Sequence, residues 1–509
     1  ILTLSVSFFF RLSKLGYSEF QGDEVTAQGY LFRERSFVQF LLTRTIGPAQ
    51  FVITRIINIF LEDSSAECWN RIPFSLAGCL TIVLLYFIVK KFTNTSCALI
   101  SSVLAGTSGL LIALSRTVQY QSFITLFSIL AIYLAWKYVQ TGKTYFSVIT
   151  GIVCGLGLLF HYDFLVPIIA ICLYLVLQRH IKGLVLLLVS IFFTSAIFYM
   201  PFILHPNFRS TLQYILGNRI NSPLPVDSIK STLVILQIYH SKEWLVGFAA
   251  LSLVSMIFLF NKLSSAEKFL FISSCVFILL RLLFNTQYPI LVYLSVISAS
   301  ALFISHLFKV IRSQKNPPHF IELILIWFFI GFISYGLFFS KPMTHIYTFF
   351  IPAFILVAQG AHKANIRYQG FLSAGMLLAM TISGISFNYQ AFINTAEEYP
   401  WDKKSYLFGT MPPWIAEGEL IQGIFGFPYR RDWHEIDAQL DVLGTNEIDK
   451  TYFSNEKVRL TRYYIRDFTW DEVQPNYFVY VEKPQSLNNS PAPIKTPLVT
   501  GRRYAIYKN

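Results

Sequence analysis

The sequence predicts an all-α polytopic membrane protein of about 13 transmembrane helices, ending in a small α+β extracytoplasmic domain. Three observations carry this. Apolar residues make up 54% of the 509 and charged residues only 14%, where a soluble globule carries about 25% charge, so the chain is unable to cover its own surface with charge. Apolar runs alternate with short cationic loops as far as Tyr389. Beyond that point the pattern stops. Residues 1–389 hold 27 Lys and Arg against 12 Asp and Glu, while residues 390–509 hold 14 against 16. The first part reads as a membrane domain and the second as a folded aqueous domain. The overall excess of +13, carried by the membrane part, points to phospholipid or phosphorylated lipid as partner, not nucleic acid.

Taken in order, residues 1–10 are apolar but too few to cross a core needing about 20. They read as the end of a first span, since no signal-peptide cleavage pattern follows. Loop 11–70 holds two apolar stretches, 37–42 and 51–60, separated by Gly47-Pro48. Each is too short to span and reads as a helix lying in the interface. Twelve further runs read as spans: 71–89, 98–114, 122–139, 145–160, 164–177, 183–204, 244–260, 269–284, 289–308, 320–339, 346–359 and 370–387. In the tail, Tyr477-Phe478-Val479-Tyr480-Val481 and Tyr504-Ala505-Ile506-Tyr507 read as strands between turn signals. None of the six cysteines lies in the tail, and none has metal-binding spacing, so no disulfide framework is expected there.

Loop cations set the orientation. One set of short loops carries Lys90, Lys91, Lys137, Lys143, Arg179, Lys182, Lys262, Lys268, Lys309, Arg312, Lys315, Lys363 and Arg367. The opposite short loops carry only Arg116 and Lys341. The first set is therefore expected in the cytoplasm, with the long loops 11–70 and 205–243 and the tail outside. Ten of the twelve acids of the membrane part then lie outside, seven of them in the first loop: Glu19, Asp23, Glu24, Glu34, Glu62, Asp63 and Glu67. Acids and cations meet on one face, and the chemistry is expected there.

Asp23-Glu24 follows Gly22 shortly after the first span. A carboxylate at that surface is able to take a proton from an attacking hydroxyl. Equally, the pair reads as a solvated loop or as first-turn helix acids favoured by the dipole. Arg44, Arg116, Lys341 and His345 sit on outer loops, where arginine offers a fork and lysine a point charge to a phosphate; the alternative for each is interfacial snorkelling. Arg281 lies near the outer end of its span, where a charge is functional by default unless it reaches the interface. His161-Tyr162-Asp163 fills a very short outer loop, and Asp163 there suits a metal, a sugar hydroxyl or a helix N-cap.

Gly22-Asp23-Glu24 after the first span, Gly47-Pro48, and Arg71-Ile72-Pro73-Phe74-Ser75-Leu76-Ala77-Gly78 opening the second resemble the type-C glycosyltransferases. The nearest group is the protein O-mannosyltransferase and aminoarabinose-transferase-like one. Ser115-Arg116 before Gln119-Tyr120-Gln121-Ser122, and His345-Ile346-Tyr347 before Pro352, resemble two further outer loops of that family. The resemblance covers residues 1–389 as a transmembrane glycosyltransferase domain and is weak over the extracytoplasmic domain 390–509. It implies a polyprenyl-phosphate-linked sugar donor and inverting transfer to a hydroxyl on a protein, a glycolipid or a cell-wall glycan, at the plasma (inner) membrane. It carries Asp23 over as the base, with Glu24 orienting it or holding a metal. No cofactor is demanded, although a divalent metal is possible through Glu24 with His161 or Asp163. The chain departs from the family where Gln119 and Gln121 replace an acid or an Arg-rich signature, and where Arg44-Thr45-Ile46-Gly47-Pro48 replaces a Lys-Pro-Pro.

One rival class is a multi-span transporter or flippase. Transporters place ionisable groups near the midplane on broken, repeated helices, whereas these spans are almost free of charge. A catalytically silent lipid-binding protein of the same build is a second rival.

Overall fold

A computed structural model of the chain describes residues 2–508 apart from 29–35, 45–46, 61–65, 215–216, 218–227, 261–262, 285–289, 314–319, 340–341, 368–370, 402–403, 412–424, 446–449 and 486–495. The molecule is mostly helical as far as Ile393. Among the described residues, six helices are long and apolar enough to cross a membrane, or seven when the bent pair Thr95–Thr107 and Gly109–Ser115 is counted as one span. Shorter apolar helices, such as Thr144–Phe160 and Leu2–Leu12, accompany them. The expected thirteen therefore exceeds what length and hydropathy establish in the structure.

The helices present lipid-type surfaces. On Ile181–Leu204, Phe193, Ile197 and Leu204 are 69%, 81% and 86% exposed, far more apolar surface than water tolerates on one face. Its other face packs on Thr144–Phe160 through Gly151 and Gly155. A Cβ at either would collide with Ser190 or Thr194. This is the small-residue spacing that brings membrane helices into backbone contact.

Two helices depart from the sequence reading. The run 320–339 is α-helical over Phe320–Gly331 and continues as a π-helix over Phe332–Phe338. The run 346–359 starts earlier than expected, as a 3₁₀-helix over Met343–Phe349 leading into Phe350–Arg367. His345 is therefore helical and buried rather than a loop residue. The bent span turns by 63° at Ser108, where the Ser108 hydroxyl meets His240 Nε2 at 3.0 Å. That turn aims Arg116–Ser122 at the first loop.

In that first loop, Phe37–Leu42 and Ala49–Ile59 are short helices, with Ser36 and Gln39 forming a reciprocal capping box on the former. The tail holds a hairpin, β1 (Ser405–Tyr406) and β2 (Gly409–Thr410), followed by β3 (Thr451–Ser454), β4 (Thr469–Trp470), β5 (Tyr477–Val481), β6 (Val499–Thr500) and β7 (Tyr504–Lys508). These last five form one sheet of order β4-β3-β5-β7-β6. β3 runs parallel to β4 and β5, while β7 is antiparallel to β5 and β6. Strict alternation of buried and half-buried residues along Tyr477–Val481 shows one face turned inward. The helices Trp433–Leu443 and Val458–Tyr464 bury Trp433, Leu440 and Tyr464 in a core that runs on into Phe20, Val25, Phe74 and Val118 of the membrane part. Tail and first loop thus share one hydrophobic core.

Candidate active site

The short helix Asp23–Ala27 is entered through Gly22 at φ 44°, a conformation that only glycine adopts without strain. The turn sends consecutive carboxylates to opposite environments. Glu24 is wholly buried and Asp23 is exposed.

Glu24 Oε1 accepts hydrogen bonds from Arg71 Nε and from the Val118 amide, both at 2.8 Å. Oε2 accepts from Arg71 Nη2 at 2.8 Å and from the Gln21 amide at 3.0 Å. Arg71 spends its remaining donors on the carbonyls of Leu15, Ser18 and Glu19, so all five of its N–H groups are used. The pair ties the first loop, the start of the helix Ala66–Phe92 and the second outer loop into one body. With both oxygens doubly engaged, Glu24 acts as a keystone and has no lone pair to give a metal. Arg71 heads the motif that opens the second span, but its pairing with Glu24 is what the sequence reading missed. Its signal was a charge at the head of an apolar run.

The crowd of acids in the first loop has a similar explanation. Glu19 accepts the amides of Arg431 (2.6 Å) and Trp433 (2.5 Å). Glu67 accepts the hydroxyl of Tyr464 (2.9 Å) and meets His434 Nε2 at 3.2 Å. These acids dock the tail onto the loop. Burial pushes the Glu19 carboxyl up to about 7, while His434 is pulled up by its bond to Glu67. Glu34, Glu62 and Asp63 lie outside the described residues.

The tail also reaches Asp23. Gln485 Oε1 accepts the Gly22 amide at 3.0 Å, and Lys457 lies within the field of the Asp23 carboxylate. Gln485 and Lys457 are in turn tied to Glu456, which accepts both of their backbone amides. Nothing local in the sequence marks these residues, because their partners lie more than 400 positions away.

The cations expected to hold a phosphate are differently placed. Arg116 is buried and Nη1 donates to the carbonyls of Phe10 (2.7 Å) and Ser13 (2.9 Å), lacing the second loop to the first helix. Arg281 is buried and Nη1 donates to Leu337 O at 3.0 Å and Ser295 Oγ at 3.3 Å. Arg44 lies across the Phe40 ring, 4.1 Å from its centroid. Lys341 lies outside the described residues. His345 turns inward onto Asp163.

Asp163 forms a second polar node. It is completely buried. Oδ1 accepts the Tyr335 hydroxyl at 2.7 Å. Oδ2 accepts the Tyr347 hydroxyl at 2.9 Å and is hydrogen-bonded to His345 Nδ1 at 2.7 Å. His161 Nδ1 stands 3.1 Å from Oδ1 and accepts the Asp163 amide at 3.1 Å. Burial opposes the charge of Asp163, but the two imidazoles hold its carboxyl well below the usual range. The side-chain ligand atoms of His161, Asp163 and His345 all lie within 4.8 Å of one another, so these three are the described residues able to hold a metal. Tyr120 stacks flat on His161 at 3.9 Å. The second loop therefore touches both nodes, Glu24 through the Val118 amide and His161 through Tyr120. Beside it, Gln121 Nε2 donates to Gln119 Oε1 at 2.7 Å, a buried amide pair.

Comparison with known proteins agrees with this architecture. Residues 48–205 match the family model of dolichyl-phosphate-mannose-protein mannosyltransferase. The crystal structure of ArnT from Cupriavidus metallidurans bound to undecaprenyl phosphate superposes over 99% of this chain and 97% of its own, with a TM-score of 0.51 at 10% identity. The oligosaccharyltransferase of Archaeoglobus fulgidus superposes over 94% of this chain and 67% of its own, with a TM-score of 0.47 at 12% identity. Its complex with an inhibitory peptide and a dolichol-phosphate gives 98%, 61% and 0.44 at 13% identity. No curated protein matches the chain.

Proposed function

We propose that this multi-pass membrane protein is an inverting glycosyltransferase of the type-C superfamily, a reading supported by the family-model match of residues 48–205 and by the fold shared with ArnT. It moves a sugar from a polyprenyl-phosphate donor to an acceptor hydroxyl on the extracytoplasmic face of the plasma (inner) membrane, with the tail on the same side. The observation that supports this reading is the division of labour at positions 23 and 24. One carboxylate is locked into the scaffold, and its neighbour is exposed on a loop that three elements hold still.

The acceptor oxygen attacks the anomeric carbon from the side opposite the phosphate. The bond from that carbon to the phosphate oxygen breaks, and polyprenyl phosphate leaves with the electron pair. Asp23 takes the hydroxyl proton as the new bond forms. Phosphate leaves as a stable anion, so the general acid that a glycosidase needs for an alkoxide is unnecessary here. A carboxylate is a weak base and takes the proton late in such a step. Arg44 and Lys341 are assigned to the donor phosphate, where their charges offset the developing dianion. Arg116 and Arg281 shape the surrounding loops through carbonyls.

The test is transfer by the purified full-length protein from lipid extracts, with mass spectrometry of the co-purified lipid to name the head group. Asp23→Asn is expected to retain the lipid and lose turnover. Wild-type turnover in Asp23→Asn overturns the assignment of the base, and saturable solute uptake in vesicles that survives this substitution favours a transporter.

A further inference from the structure

We infer that His161, Asp163 and His345 form a zinc site that pins the loop at residues 161–164 to the 3₁₀-helix Met343–Phe349. The inference is independent of the transferase reading. Three ligand atoms from two distant segments converge within 4.8 Å. Two nitrogens and one carboxylate oxygen suit zinc, which binds imidazole and carboxylate in tetrahedral sites; magnesium asks for an octahedron of oxygens.

Each imidazole presents Nδ1 to the carboxylate, His345 at 2.7 Å from Oδ2 and His161 at 3.1 Å from Oδ1, in a site where His161 and Asp163 are 1% and 0% exposed. A divalent ion among the three would take a lone pair from each ligand and offset the buried carboxylate charge.

The surroundings resemble those of metal ligands. Tyr335 and Tyr347 donate to the carboxylate, as outer partners that orient a ligating group do. Each imidazole lies against an aromatic ring, His161 under Tyr120 and His345 parallel to Tyr335 at 5.6 Å. A cavity of about 10 Å³, room for one water, borders Asp163, Tyr347 and Trp327, and the Trp327 indole N–H is buried without a partner. It offers space for the water that a three-ligand zinc keeps as its fourth. The His345 side chain, 10% exposed, marks the side from which an ion enters.

The full-length protein in detergent, stripped with a chelator and dialysed against zinc chloride, is expected to retain stoichiometric zinc by elemental mass spectrometry and to melt at a higher temperature. Magnesium in excess is expected to leave both readings unchanged. His345→Gln should abolish retention. Tyr335→Phe keeps all three ligands and should weaken zinc affinity about 10–100-fold. Zinc in the wild type no higher than in the buffer blank overturns the proposal, whatever the variants do, and so does retention undiminished in a folded His345→Gln protein.

Discussion

Glu24→Gln tests the scaffold with a change of one atom type. The amide keeps one oxygen and places an NH₂ where the other oxygen accepted two hydrogen bonds. One donor from Arg71 and one backbone amide then face a donor, and the buried guanidinium loses its counter-charge. Two hydrogen bonds involving charged groups are worth about 1.5–3 kcal/mol each. Breaking a buried ion pair costs about 3–5 kcal/mol. The two routes agree on roughly 3–5 kcal/mol, a large share of a stability that is typically about 5–15 kcal/mol. Chemical unfolding in detergent, followed by tryptophan fluorescence, is the assay. The expected result is a lower midpoint together with lost activity. Glu24→Leu combined with Arg71→Met is expected not to recover stability, because the Gln21 and Val118 amides and the carbonyls of Leu15, Ser18 and Glu19 all lose their partner. A Glu24→Gln protein as stable as wild type refutes the keystone role.

Asp23→Asn should do the reverse, removing turnover while stability moves by no more than about 0.5 kcal/mol, as for an exposed residue; unfolding of this variant at the Glu24→Gln midpoint contradicts it. Gln485→Ala removes the acceptor of the Gly22 amide and should lower kcat at a stability cost of about 1 kcal/mol, with Gln485→Glu restoring both. Glu19 has a pKa raised by burial from 4.5 to about 7, so the folded state binds the extra proton. Its contribution is full below 4.5 and is lost as pH rises through 7. Amide exchange at Arg431 and Trp433 should therefore accelerate between about pH 6 and pH 8 beyond the intrinsic chemical trend, and Glu19→Gln should flatten that change. Lys341→Ala should raise the KM for the lipid donor and leave kcat little changed; an unaltered KM removes Lys341 from the phosphate site.

The membrane character and the strand-containing tail were legible because they rest on composition and periodicity, which are local. The crowding of acids near Asp23 was legible as well, but its meaning was not. Glu19 and Glu67 bond to residues about 400 positions away, and no spacing rule sees that far. Arg116 stood out as a lone cation in its short loop, yet it answers to the carbonyls at the end of the first helix. An arginine able to fork a phosphate forks two carbonyls equally well, and sequence carries no sign of which it does. His161 and Asp163 were noticed for their tight loop. His345 joined them only because the 3₁₀-helix starts three residues ahead of the apolar run.

The contact between tail and first loop also dictates an order of events during biosynthesis. Glu19, Phe20, Gly22 and Glu67 leave the ribosome about 400 to 460 residues before their partners Arg431, Tyr464 and Gln485. Contacts of such separation form late. A nascent chain with every helix already inserted still lacks the grip on residues 17–24. Arrival of the tail completes the hold on the first loop, and a chain that stops before the last strands is expected to insert with that loop unset.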